Sequence, residues 1–176
     1  LSDSSALVEM TFQNMTGWVP GSTPGDIATS TPKGIYVAFN SASPITVRTP
    51  NVHRCSAIST TGGIGAYLDG SLVTGTKQIA FYTYNISSND GVGFWATNNA
   101  RPEVLMCATS YCYFAMAATN GAVLRVDGSR SSWGTYGLYS KGFLSSETAV
   151  TGTISGQQLN FIYNTGSISV GDTVTP

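Results

Sequence analysis

Short runs with strand character, each closed by a residue pair suited to a tight turn, recur along this chain and constrain its fold more than any other feature. Tyr67-Leu68-Asp69-Gly70, Asn89-Asp90-Gly91, Asn120-Gly121 and Asp127-Gly128 punctuate the middle of the sequence. Asn-Gly and Asp-Gly tolerate the positive φ values that tight turns demand. Between them lie "KQIAFYTYNI" (77–86), "GVGFWAT" (91–97), "AVLRVDG" (122–128) and "TYGLYSKGFL" (135–144), rich in β-branched and aromatic residues. The last third supplies "TGTISG", "QQLNFIYNTG" and "SISVGDTV" at similar intervals. Such spacing predicts an all-β chain whose short strands are joined by hairpins. No window of helical length carries an apolar period near 3.6 residues.

The first third is less regular. "ALVEMTF" (6–12) alternates as one strand, with Leu7, Glu9 and Thr11 on one face and Val8, Met10 and Phe12 on the other. "GWVPGSTPGDIATSTPK" (17–33) contains three prolines and three glycines, which breaks both helix and sheet. "GIYVAF" (34–39) and "ITVRT" (45–49) follow as a strand pair. The change of texture after "STTGG" (59–63) divides the chain into an N-terminal β segment or attachment domain, 1–60, and a repetitive fibre-like domain, 61–176.

Two internal echoes suggest a reused unit. "GAYLDGSL" (65–72) and "GLYSKGFL" (137–144) share four of eight positions, and "FWATNNA" (94–100) returns as "MAATNGA" (116–122) after 22 residues. A strand-turn-strand unit repeated along an axis cannot bury its apolar face without neighbours.

The most apolar stretch, "EVLMCATSYCYFAMAATNG" (103–121), tests this reading. It is too interrupted for a membrane span, and no run in the chain reaches 18 apolar residues. Split at Thr109-Ser110 it gives two strands apolar on both faces, "VLMCA" and "YCYFAM". Paired about that centre, they would set Cys107 opposite Cys112 as interior cross-strand neighbours. A wider loop or one continuous strand is the rival arrangement.

Charge excludes several partners. Charged residues make up 10% of 176, eight basic against nine acidic, with no basic cluster. Nucleic acid and anionic membranes therefore find nothing to attract them. A neutral, hydroxyl-rich surface over near-continuous apolar strands favours association that covers sheet faces and edges. Catalytic chemistry is equally poor in material. The only histidine, His53, would have to serve any Ser-His-Asp or Cys-His centre, and no G-x-S-x-G elbow is present. His53-Arg54-Cys55 cannot supply the ligands zinc needs, so no metal and no cofactor is expected. Glycoside hydrolysis by a carboxylate pair needs two of nine scattered acids. Sugar binding needs only exposed aromatics and hydroxyls. Trp133 and Tyr136, in the polar "GSRSSWGTYG" (128–137), are the leading ligand-binding candidates, followed by Trp18 in "TGWVPG".

The stretch "GAVLRVDGSRSSWGTYGLYSKGFLSSETAVTGTISG" (121–156) resembles the repetitive shaft and tip segments of bacteriophage tail fibres and related virion appendages, in which short Gly-Leu-Tyr strands recur between small-residue turns. The likeness covers residues 62 to 176. It implies an all-β homotrimer, an intertwined or side-by-side β-fibre or β-prism lining a narrow apolar axis. Such a chain would sit on a virion with other tail proteins and touch host-surface glycan or protein without catalysis. No catalytic residue is carried across. The alternatives are a secreted carbohydrate-binding β-sandwich and a tailspike-type glycan depolymerase.

Overall fold

The computed structural model describes residues 5–18, 32–38, 49–71 and 79–142, and the backbone of two further strands, 150–155 and 158–164. The chain divides into Leu1–Gly142 and Phe143–Pro176. No helix occurs among the described residues.

The first unit contains fifteen strands in five successive triplets. These are β1 (Ala6–Val8), β2 (Thr11–Gln13) and β3 (Lys33–Ala38); β4 (Asn51–His53), β5 (Ser56–Ser59) and β6 (Ile64–Asp69); β7 (Ala80–Tyr82), β8 (Asn85–Ser88) and β9 (Val92–Thr97). The last two triplets are β10 (Glu103–Leu105), β11 (Ala108–Ser110) and β12 (Phe114–Thr119), then β13 (Arg125–Asp127), β14 (Arg130–Ser132) and β15 (Tyr136–Lys141). Every third strand pairs in parallel with its counterpart, giving three five-stranded sheets ordered β1-β4-β7-β10-β13, β2-β5-β8-β11-β14 and β3-β6-β9-β12-β15. Each triplet is one coil of a parallel β-helix. In the second unit, β16 (Val150–Ser155) and β17 (Gln158–Asn164) form an antiparallel hairpin.

This architecture corrects several sequence expectations. The turn-grade residues of the first unit close coils rather than hairpins; among the described residues only β16 and β17 pair as a hairpin. An antiparallel sandwich does not describe the three parallel sheets. A division at residue 60 would cut a single coil, since β4, β5 and β6 flank it. "ALVEMTF" is two strands of different sheets, bent at Glu9. Residues 103–121 contribute one strand to each of three sheets, so Cys107 and Cys112 are not cross-strand partners but occupy successive corners. Both are buried and unbonded, as is Cys55. The pairing expected between "GIYVAF" and "ITVRT" rests on residues outside the described set.

The bend at Glu9 recurs in every coil. Glu9, Arg54, Thr83, Met106 and Gly128 have φ between 51° and 57°, and each lies just after the first strand of its coil. A left-handed residue turns the chain sharply while leaving its N–H aimed along the stack. Glu9 N–H donates to His53 O (3.1 Å), Arg54 to Tyr82 O (3.0 Å), Thr83 to Leu105 O (3.1 Å) and Met106 to Asp127 O (2.9 Å). Non-glycine residues in this region cost roughly 1–2 kcal/mol, and the continuous ladder across the corner offsets that strain.

Coiling supplies the interior that three-fold association was expected to supply. Facing inward along the first sheet are Leu7, Val52, Phe81, Val104 and Val126, and along the second Phe12, Ala57, Ile86, Thr109 and Ser131, by register. Phe81, Tyr84 and Phe94 form the centre, with ring centroids 5.3 to 5.7 Å apart. Tyr84 sends its hydroxyl to Gly65 O at 2.8 Å, so its one polar atom is satisfied inside the core. Since one chain covers its own inner sheet faces, their apolar character no longer argues for a trimer.

Both sequence echoes are coil repeats. In the third sheet Ile64 aligns with Val92, Phe114 and Tyr136, which places "GAYLDGSL" and "GLYSKGFL" three coils apart at one position. Phe94 aligns with Met116, the 22-residue step of the second echo. Pairing in this sheet skips one position per coil, at Gly34, Gly65, Gly93, Ala115 and Gly137. These form a stacked column of irregular backbone occupied by the smallest residues. An inward apolar residue follows each, then an outward one: Tyr36, Tyr67, Trp95, Ala117 and Tyr139.

Candidate binding surface

The second corner of each coil joins the second sheet to the third. In coils four and five it is made by Tyr111 and Trp133, which occupy equivalent positions because β11 and β14 pair with Ala108 on Arg130 and Ser110 on Ser132. Both have left-handed backbones, φ 60° and 54°. Turns of this kind favour Gly, Asn and Asp, whose short side chains tolerate the conformation. Two bulky aromatics therefore stand where local energetics argue against them.

The backbone holds them firmly. Tyr111 N–H donates to Ser132 O (3.0 Å), Asp90 N–H to Tyr111 O (3.0 Å), and Thr135 N–H to Cys112 O (3.0 Å). Gly134 presses against coil four so closely that a Cβ there would overlap Cys112 O. The two rings stack with centroids 5.5 Å apart and planes 18° from parallel. Trp133 is 76% exposed and Tyr111 48% exposed. A stacked pair this open presents an apolar face with polar edges to solvent, and Ser110, Ser132 and Thr135 neighbour it in the sequence.

Tyr136 begins the strand after the same corner. Its N–H donates to Tyr113 O (2.9 Å), and its ring packs on Tyr113 and Phe114, both at 5.4 Å. About half of it remains exposed. The structure thus brings Trp133 and Tyr136 to one corner and adds Tyr111. Trp18 is corrected: it is 5% exposed and buries its ring on Tyr113 (5.5 Å) and Phe114 (5.8 Å). Its indole pins the segment after β2 to the outside of the third sheet and presents nothing to a ligand.

Tyr111 was missed because "TSYCYF" reads as continuous apolar strand. Its signal lay in the coil repeat: Ser110-Tyr111-Cys112 and Ser132-Trp133-Gly134 stand 22 residues apart, the step that relates Phe94 to Met116.

Several other chemistry-bearing groups have structural partners. Glu9 pairs with Arg54 (2.7 Å) and Glu103 with Arg125 (2.8 Å) across adjacent coils. His53 lies against Tyr82, centroids 5.1 Å apart. Asp69 accepts hydrogen bonds from Ser71 Oγ (2.5 Å), Ser71 N–H (2.9 Å) and Asn98 Nδ2 (3.0 Å). Asn98 Oδ1 accepts in turn from Asn120 Nδ2 (3.3 Å), a polar ladder running over three coils. The Cys107 thiol is pushed up to about 11 and that of Cys112 to about 12, in both by burial. Neither is a nucleophile at neutral pH. Among the described residues no group of three or more His, Cys, Asp or Glu is placed to hold a metal ion.

Comparison with protein-family models, with curated proteins and with solved structures finds no match to this chain.

Proposed function

We propose that the chain is a non-catalytic attachment module of a virion appendage, in which a stiff parallel β-helix carries an aromatic surface for neutral glycan on the host. The observation that carries this reading is the Tyr111–Trp133 stack, open to solvent and held by corner backbone that disfavours aromatics. Sugar rings present flat arrays of C–H groups that pack on aromatic faces, while their hydroxyls bond to serine, threonine and backbone groups. This recognition needs no net charge, in keeping with a chain of net charge −1. Coil stacking fixes the rings before the ligand arrives, which limits the entropy lost on binding.

Glycan-array binding by the intact chain, followed by titration of the best ligand, tests the proposal. Trp133→Ala and Tyr111→Ala should each weaken binding about tenfold, or about 1.4 kcal/mol, with the circular dichroism spectrum unchanged. Unaltered affinity in both variants would sink the assignment of this corner. Retention of no neutral glycan by the parent would sink the attachment chemistry itself.

A further inference from the structure

Of the four methionines in the chain, Met15 and Met116 are buried, whereas Met10 is 44% and Met106 58% exposed. Met106 makes the first corner of coil four, where its left-handed backbone (φ 51°) turns the chain and its N–H is tied to Asp127 O at 2.9 Å. Its side chain is held from two sides. Tyr82, the last residue of β7 in coil three, donates its hydroxyl to Met106 Sδ at 3.5 Å, and the Tyr82 ring is itself steadied by the His53 ring, 5.1 Å away. Gly128, the corner residue of coil five, lies so near that a Cβ there would come within 3.3 Å of Met106 Cγ. A thioether sulfur is a weak acceptor with two lone pairs. In Met106 one of them is engaged by Tyr82, which leaves the other as the open approach to an exposed sulfur.

We propose that Met106 is a modification site, oxidised by hydroperoxides to one sulfoxide epimer whose handedness Tyr82 sets. In the reaction the free lone pair of Sδ attacks one oxygen of the hydroperoxide, the O–O bond breaks, and the proton on the attacked oxygen passes to the one that leaves. Sulfur is oxidised to the sulfoxide, and the peroxide is reduced to water or an alcohol. The lone pair that attacks decides the product, because a sulfoxide sulfur is a stereocentre. Attack by the pair facing Tyr82 would give up the O–H···S contact and bring the reagent in over the phenol, so the opposite face reacts. The new oxygen is then placed in solvent. Oxidation of Met15 or Met116 would instead set a polar oxygen in an apolar interior, so Met106 takes up the oxidant with the coil intact. Met106 lies at the first corner of its coil and Tyr111 at the second, so this inference stands apart from the glycan reading.

Dilute hydrogen peroxide on the intact folded chain, followed by peptide mass spectrometry, reads which sulfurs gain oxygen. Met106 should be oxidised while Met15 and Met116 are not, with the circular dichroism spectrum unchanged. The peptides are then treated separately with the two methionine sulfoxide reductases, each of which reduces one epimer. One enzyme should restore Met106 about fivefold more fully than the other, the preference that a single hydrogen bond supplies. The chain oxidised in urea should give near-equal amounts of both epimers. Tyr82→Phe removes only the hydroxyl and should bring the folded-state ratio close to even; continued protection of Met15 and Met116 shows that this variant keeps its fold. Unreacted Met106 in the folded chain, an even mixture of its epimers, or an unchanged preference in Tyr82→Phe each overturns the proposal.

Discussion

The column of small residues in the third sheet permits a test of coil stacking that depends on position alone. Gly93 and Gly137 are equivalent in register, two coils apart, and neither has a positive φ. Alanine is therefore allowed by the backbone at both. At Gly93, however, an added Cβ would overlap the carbonyl oxygen of Ala115 in the next coil and come within 2.8 Å of Thr109 Cγ2. At Gly137 it would meet nothing within 4 Å. Forcing a methyl into a filled interior costs about 1–3 kcal/mol. Replacing glycine by alanine also restricts the unfolded chain, which stabilises by about 0.4–1 kcal/mol where the site has room. Gly93→Ala should then lose about 1–2 kcal/mol and Gly137→Ala should gain about 0.5 kcal/mol, a spread of about 2 kcal/mol. Gly65→Ala should also be destabilising, because its Cβ would lie 2.6 to 2.8 Å from three carbons of the buried Ile86 side chain, two of them on a branched Cβ that is stiff at χ1. Urea unfolding followed by circular dichroism reads the three changes against the parent. Equal effects at Gly93 and Gly137 would refute the stacking of these residues.

Two further outcomes follow from buried groups. With burial raising the Cys107 and Cys112 thiols to about 11 and 12, iodoacetamide at pH 8 should leave both unmodified in the native chain and label them after unfolding in urea; mass spectrometry showing ready native labelling would refute their interior placement. For Asp69, burial raises the carboxyl, but the hydrogen bonds from Ser71 and Asn98 together outweigh it and leave the value below the ordinary one. A depressed folded value means stability that is present above the unfolded value near ~3.9 and lost as pH falls through the folded one. Asp69→Asn should thus be less stable than the parent at pH 7 by about 0.5 kcal/mol or less, given the partial exposure of the group, and the gap should shrink as pH falls below the ordinary carboxylate value; a gap that widens in acid would overturn the sign.

Strand content was legible in the sequence and strand direction was not. Alternation and turn residues say where strands begin and end, but they are the same for a hairpin and for a coil corner. Asn120-Gly121 is a case in point: both residues have positive φ, as a tight hairpin would require, yet they lead from β12 of the third sheet to β13 of the first. Glu9, Thr83, Met106 and Tyr111 were harder still, since nothing in their chemistry announces a left-handed backbone. What forces it is the ladder to the neighbouring coil, a contact between residues more than 20 positions apart. The repeat itself could be read. Gly34-Ile35-Tyr36, Gly65-Ala66-Tyr67, Gly93-Phe94-Trp95 and Gly137-Leu138-Tyr139 follow one rule of small, apolar, aromatic, and two of the four stood out as an echo.

That rule separates the aromatics of this chain better than their local composition does. Trp95 and Trp133 each lie within two residues of a glycine, and both sequence contexts are short on charge. Trp95 falls in the outward column of the repeat, where its N–H donates to Thr119 Oγ1 at 3.2 Å and Tyr67 packs on its ring at 5.9 Å; it is fully buried. Trp133 falls at a corner, outside the tripeptide, with only Tyr111 beneath it. Corner positions stack along the axis, and Trp133, in the last coil, has the Tyr111 ring on one face and remains 76% exposed. Trp95 is therefore committed to the fold, and Trp133 is left free to meet something else. The same reasoning places Trp18 with Trp95, since its ring covers Tyr113 and Phe114, and narrows the candidate surface to Tyr111, Trp133 and Tyr136.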